Sequence, residues 1–204
     1  MTDLLIDGPK RGRRTLVLAH GAGAAMDSPF MAEIAALVAA EGVRVVRFEF
    51  PYMAGRRTGM RRPPDREPVL RHTWLEAMEK LGGGAKLVIG GKSMGGRIAS
   101  MVADEAGVRG LVCLGYPFHP VGRPDGLRTA HLEALQTPSL FVQGERDSLG
   151  SREQVEGYTL SPAIRMEWLP DGDHSLKPRK ASGHTYSDHM RTVAAAVVEF
   201  VKAH

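Results

Sequence analysis

The chain predicts an α/β fold, a doubly wound, mostly parallel sheet of about six or seven strands with helices on both faces. Three observations lead there. Short, solid apolar runs recur at Leu16–Ala19, Leu87–Ile89, Leu111–Leu114 and Ser139–Val142, as expected for strands covered on both faces. Segments with helical apolar spacing alternate with them, the signature of parallel strands joined by crossover helices. Several runs then end in glycine-bearing turns that carry a histidine, serine or aspartate, and in such sheets ligands sit beyond the carboxyl ends of the strands.

At 204 residues the chain suits one domain, 1–204, long enough to bury a core without disulfides. The content of 43% hydrophobic and 25% charged residues is that of a globular protein and excludes a disordered one. The single cysteine, Cys113, lies in the run Leu111-Val112-Cys113-Leu114 and reads as a buried strand residue. One cysteine forms no internal bridge, which agrees with a reducing, cytoplasmic setting. Leu4-Leu5-Ile6 is too short for a secretory leader and its basic residues follow it; no run is long enough to span a membrane. The net charge of +4 comes largely from arginine clusters with few aromatics between them, so nucleic acid is not an expected partner.

Taken in order, Leu4–Ile6 offers at most an edge strand, and Leu16–Ala19 is a buried strand ending in His20-Gly21-Ala22-Gly23. Ser28-Pro29 starts a helix, serine as N-cap and proline at the first helical position, with Phe30, Ile34, Leu37 and Val38 on one face. Gly42 stops it, and Val43–Phe50 is the next strand. From Tyr52 to about Glu67, arginines and prolines spell a long loop. Val69–Leu81 is a helix with Trp74, Leu75 and Met78 on its apolar side, followed by the strand Leu87–Ile89 and a helix from Arg97 to about Ala106. Leu111–Leu114 is a strand, Thr129–Leu135 a short helix, Ser139–Val142 a strand and Arg152–Tyr158 a helix. The strand Ile164–Leu169 and a helix over about Ser187–Val201 complete the chain.

The reactive stretch is Gly90-Gly91-Lys92-Ser93-Met94-Gly95-Gly96. A serine between glycines, Gly91-x-Ser93-x-Gly95, at a strand-to-helix junction is the nucleophile-elbow pattern. The turn strains the serine backbone and lifts its hydroxyl clear of the sheet, and small neighbours let strand and helix approach. A phosphate-cradling loop fails on spacing, because its first glycine falls at Lys86. A dinucleotide fingerprint at Gly21-x-Gly23 needs a third glycine where Met26 stands; with Glu49 as its ribose acid, it stays an alternative.

A serine hydroxyl needs a base to take its proton and a third group to hold that base. The order Ser93, Asp147, His174 is the order an elbow serine requires. Asp147 follows the strand Leu140–Val142, with Glu145 as substitute or a loop or N-cap role as the alternative; His174 follows the last strand, with His184 and His189 as alternatives.

These four motifs together resemble the α/β-hydrolase fold family over nearly the whole chain, in its small lidless, dienelactone-hydrolase-like branch. His20-Gly21-Ala22-Gly23 matches the first loop, Gly91–Gly95 the elbow, Gly144–Asp147 the acid turn and Asp173-His174 the base loop. The wording Gly-Lys-Ser-Met-Gly-Gly-Arg is also similar to a narrower group of hydrolase-like proteins, including a testis-expressed protein and a chromatin-complex subunit, some of which serve as interaction domains. The resemblance implies Ser93, Asp147 and His174 as catalytic residues, with an oxyanion hole made by the backbone N–H groups of Met94 and Ala22. It implies cleavage of a small ester or related acyl bond, with no metal or organic cofactor. Residues 116–138 are too few for the family's lid, so the site is expected to be open. Candidate pocket residues are His20, Gly21, Lys92, Tyr116, Arg57 and Arg61, with His20 alternatively packed under the elbow and Lys92 paired to a carboxylate or solvated. If the arginine-rich loop, Arg56 to Arg66, overhangs the site, it favours an anionic acyl substrate; the alternative is a solvated basic loop. The rival functions are a hydrolase-shaped binding or scaffold protein and, further off, a dinucleotide-binding oxidoreductase.

Overall fold

The structure is a computed structural model that describes residues 3–10, 12, 14–60 and 62–204. Seven strands form one sheet: β1 (Leu4–Asp7), β2 (Thr15–Ala19), β3 (Arg44–Phe48), β4 (Leu87–Lys92), β5 (Gly110–Leu114), β6 (Ser139–Gly144) and β7 (Ile164–Leu169). Their spatial order is β1-β3-β2-β4-β5-β6-β7. Strands β2 to β7 run parallel, and only the edge strand β1 is antiparallel, pairing Leu4 with Phe48. After β3 the chain crosses back over β2 to lay β4 on its other side. The order therefore reverses between β2 and β4, and the crevice at such a reversal is where open α/β sheets bind ligands.

Alternation along each strand divides the core. Val17, Ala19, Val46, Phe48, Leu87, Ile89, Leu111, Cys113 and Phe141 face one layer. That layer is covered by α2 (Pro51–Arg57), α3 (Glu67–Lys80), α4 (Met94–Val102) and α5 (Arg152–Val155). Leu16, Leu18, Val45, Val88, Val112, Leu114, Leu140 and Val142 face the other, under α1 (Pro29–Ala40) and α6 (Tyr186–Ala203). Trp74 of α3 is fully buried with its ring edge-on to Phe48, 4.6 Å between centroids. This double burial explains the solid apolar runs in the sequence.

The structure departs from the sequence reading in several places. The stretch read as loop begins with helix α2, because Pro51 occupies the first helical turn, Tyr52 and Met53 bury against the core, and Arg56 and Arg57 suit the negative end of the helix dipole. Ser28 does precede α1, but its hydroxyl makes no capping bond and is buried without a partner. The helix after the elbow ends at Val102, and the short helix expected near Thr129–Leu135 is a single 3-10 turn, Ala130–Leu132. The helix expected over Arg152–Tyr158 stops at Val155, opened by a reciprocal capping pair of Ser151 and Gln154. The connection from β5 to β6 adds no lid domain: Tyr116, Phe118, Leu132 and Leu135 all pack into the core. Among the described residues, no helix is long and apolar enough to cross a membrane.

Candidate active site

Ser93 sits between β4 and α4 with φ 51° and ψ −117°. A non-glycine residue in that region is strained, and the strain lifts the hydroxyl above the sheet edge as the elbow pattern requires. The turn is held by Ser93 N donating to Leu114 O at 3.0 Å. Met94 is the first residue of α4, so its amide lacks a partner four residues back and stands at the positive end of the helix.

Two loops bring the other groups to Ser93. His174 Nε2 is 2.9 Å from Ser93 Oγ, and His174 Nδ1 is 2.8 Å from Asp147 Oδ2. Asp147 is wholly buried, whereas the His174 side chain is 29% exposed, so the outer edge of the imidazole faces water while the acid does not. The carboxylate is also held by neutral donors: Leu149 N reaches Oδ1 at 2.8 Å and Gln143 Nε2 reaches Oδ2 at 2.9 Å. Gln143 is itself buried, accepting from Tyr116 N through Oε1 at 2.7 Å and donating to Gly150 O at 3.1 Å through Nε2. The base loop is wrapped on Asp173, whose Oδ1 accepts from Ser175 N and Lys177 N.

The alternatives named from sequence are occupied elsewhere. Glu145 accepts from Arg152 and from Asp171 N. His189 is buried against Leu176 O at 2.9 Å, and exposed His184 lies beside it with 5.6 Å between ring centroids. Neither ring touches Ser93. Glu49, the ribose acid of the dinucleotide alternative, accepts instead from Arg57 and from Met26 N.

A cavity of about 680 Å³ opens at the serine. Ala22, Phe30, Met31, Lys92, His174 and Tyr186 are among its walls, which also include Gly21. Of the expected pocket residues, Gly21 and Lys92 line it. His20 does not: its buried ring packs edge-on against Phe50, Phe50 N donates to Nε2 at 3.1 Å, and Nδ1 donates to Gly21 O at 2.7 Å. With one nitrogen accepting and the other donating the ring is neutral, and burial pushes its pKa down. It ties the Ala22 loop to the end of β3. Tyr52 ties it again, its hydroxyl donating to Ala22 O at 3.0 Å. Tyr116 is buried in the core, its hydroxyl donating to Arg128 O. Arg61 lies outside the described residues.

Arg57, one of the two arginines named for a loop that would favour an anionic substrate, is engaged by carboxylates of the chain itself. Its guanidinium is not among the cavity walls and is held by Glu49 at 2.7 Å and Asp27 at 2.9 Å. Glu49 is buried, and removing its cation leaves a buried acceptor short of donors. Arg57→Ala is therefore expected to lower unfolding free energy by about 1–3 kcal/mol. Denaturant melts of the parent and the variant check this.

Among the described residues no group of three or more His, Cys, Asp or Glu side chains gathers as metal ligands would. Cys113 is buried with its sulfur 3.5 Å from Gly96 O, and burial pushes its thiol pKa well up. Gln143, Tyr52 and Phe30 are site residues that motif reading did not reach. The one available signal was for Gln143, a polar residue closing the buried apolar run Leu140–Val142.

A seven-stranded doubly wound sheet with a strained serine at its switch point defines the α/β-hydrolase class of protein. Residues 12–202 match the family model described as an alpha/beta hydrolase domain. The chain belongs to that family. Solved structures with the same fold include dienelactone hydrolase from Anabaena variabilis, with TM-score 0.76 and 18% identity, covering 100% of this chain and 92% of that one. The chain is also similar to a lidless α/β serine hydrolase from Xanthomonas campestris, with TM-score 0.65, 18% identity and coverage of 100% and 91%. An esterase domain of a Rhodothermus marinus protein matches with TM-score 0.69, 14% identity and coverage of 100% and 98%.

Proposed function

We propose that the chain is a serine hydrolase that cleaves a small ester or related acyl bond through an acyl-enzyme, working as one domain over residues 1–204. The observation that carries this is the unbroken relay from Ser93 Oγ through His174 to Asp147, at the mouth of a largely apolar cavity. With its proton on Nδ1, His174 offers Nε2 to the serine hydroxyl. As Oγ attacks the acyl carbonyl, Nε2 takes the hydroxyl proton and the imidazolium is stabilised by Asp147. The Met94 and Ala22 amides are the assigned donors to the oxyanion; one such donor is typically worth about 3–4 kcal/mol of transition-state stabilisation. His174 then gives its proton to the leaving alkoxide. In the second half-reaction it deprotonates a water, which attacks the acyl carbon; Ser93 Oγ leaves and recovers the proton. The serine-hydrolase and esterase relatives support the reading, and the open cavity suits a small substrate. A cytoplasmic setting belongs to the same proposal, supported by the single buried thiol.

The test is intact-mass labelling with a fluorophosphonate, followed by peptide mapping. One adduct is expected, on Ser93. No adduct, under conditions that label a known serine hydrolase, favours the rival reading of a hydrolase-shaped binding protein and directs the next step to a partner search.

A further inference from the structure

Lys92 ends β4 and directly precedes the nucleophile. Its Nζ donates to the backbone carbonyl of His174 at 2.6 Å, across 82 residues of sequence. Its ammonium lies 5.7 Å from the centroid of the Phe30 ring, near enough for a cation–π attraction. Gly115, following β5, closes the third side. It has φ 63°, and a Cβ there would meet both Lys92 Nζ and His174 O at 2.8 Å. The ends of β4 and β5 and the loop after β7 thus converge on one ammonium. Burying a cation is costly unless it is well partnered, and the acyl-transfer steps above make no use of it.

The base loop shows what the cation does. Asp173 ties the amides of Ser175 and Lys177, and Leu176 N donates to Asp173 O; on either side of His174 the loop is tied to the rest of the fold, Arg146 N donating to Gly172 O and His189 Nδ1 to Leu176 O. Among the described residues, the Lys92 contact is the one hydrogen bond found to the backbone of His174 itself.

We propose that Lys92 is a positioning residue for the base: by gripping the His174 carbonyl from the nucleophile strand, it sets how the imidazole spans Ser93 and Asp147. The kinetic half of this inference rests on the hydrolase reading, whereas the anchoring half does not.

The grip is pH-dependent. Burial lowers the Lys92 pKa to about 8, against the opposing pull of Asp147 and Asp173. The other titratable groups at the cavity are His174 itself, Lys177 and Tyr186. Below about pH 8 the donor is an ammonium, and above it a neutral amine that gives a weaker bond. The hold therefore slackens as pH rises through that value. Global stability moves the other way. The folded pKa lies below the ordinary 10.5, so between the two values the unfolded chain binds more protons and this group's contribution to stability rises with pH. A loss of rate in that window is then not unfolding driven by Lys92.

Two measurements on the full chain test the proposal, with Lys92→Met and Gly115→Ala as independent ways to break the contact. In the first, hydrogen exchange over residues 171–178 is expected to be about tenfold faster in both variants, since a one-bond loss of this kind is typically worth about a factor of ten. Unchanged exchange in a folded variant overturns the anchoring. The second is the rate of fluorophosphonate labelling against pH. The parent rate is expected to fall above about pH 8. Lys92→Met should be about ten- to a hundredfold slower at neutral pH, the scale of a misplaced catalytic group, without that alkaline fall. Equal rates and equal profiles in parent and variant overturn the positioning role and leave the hydrolase reading standing. A parent that does not label overturns the kinetic half together with that reading, and the exchange result still decides the anchoring half.

Discussion

Asp147→Asn is expected to slow acyl transfer by about four orders of magnitude, about 5.5 kcal/mol, with little change in fold. The size follows from which atoms surround the acid. Asp147 Oδ1 accepts from Leu149 N, and Oδ2 accepts from Gln143 Nε2 and from His174 Nδ1. Gln143 cannot turn round to help, because its Oε1 accepts from Tyr116 N and its Nε2 also donates to the carbonyls of Tyr116 and Gly150. An asparagine that keeps its oxygen on Leu149 N turns its own NH2 towards Gln143 and His174. The imidazole must then accept at Nδ1 and carry its proton on Nε2, where it can no longer take the serine proton. The reverse orientation sets NH2 against the Leu149 amide and takes away its acceptor in a buried site, whereas Gln143 Nε2, with two hydrogens, keeps the carbonyls of Tyr116 and Gly150 when the acid oxygen is lost. Labelling rate and ester kcat/KM measure the loss, and the denaturation midpoint reports the fold. A rate within tenfold of the parent would remove Asp147 from the mechanism.

Gln143 holds the acid through its amide, and it is a residue whose role the sequence does not disclose. Ser93 was legible because an elbow needs small residues at fixed offsets, and glycine leaves that trace in the sequence. Asp147 and His174 were legible from their place after strands of a parallel sheet, which gathers strand ends on one edge. The parallel sheet was legible too, because double burial removes polar residues from a strand. What the sequence conceals is the partner of each side chain. Gln143 reads as the first polar residue after an apolar run, and only the sheet register aims its amide at the acid. Arg57 reads as one of a basic loop, yet its carboxylates are supplied by Glu49, past the end of β3, and Asp27, before α1. Lys92 grips a backbone carbonyl, and a backbone acceptor has no letter in the sequence. The α2 helix was concealed for another reason: a short arginine- and glycine-bearing segment has a composition typical of loops, and Tyr52 and Met53 become helical because their burial outweighs that local preference.

Gly95→Ala is the second large effect expected, and it acts through backbone rather than through a reacting group. A Cβ on Gly95 would stand 2.4 Å from Ala19 O and 2.6 Å from His20 O, closer than atoms at these positions can remain. Both neighbours are main-chain atoms of the strand that leads into the Ala22 loop, so no side chain can swing aside. Either α4 moves off the sheet or the Ala22 loop moves off the elbow. The loop is stapled from behind by His20 and Tyr52, so the strain cannot be relieved there without breaking buried hydrogen bonds. The cost in unfolding free energy should be at least about 1–3 kcal/mol, the usual range for overpacking. The surviving folded protein should label about a hundredfold more slowly, because the two assigned oxyanion donors, Met94 N and Ala22 N, lie on opposite sides of the wedge and a shift of about 1 Å misaligns them. Gly23→Ala supplies the comparison for stability: nothing lies within 4 Å of a Cβ there, so its denaturation midpoint should match the parent's. If Gly95→Ala melts and labels like the parent, β2 and α4 do not approach this closely, and the oxyanion assignment falls with that contact.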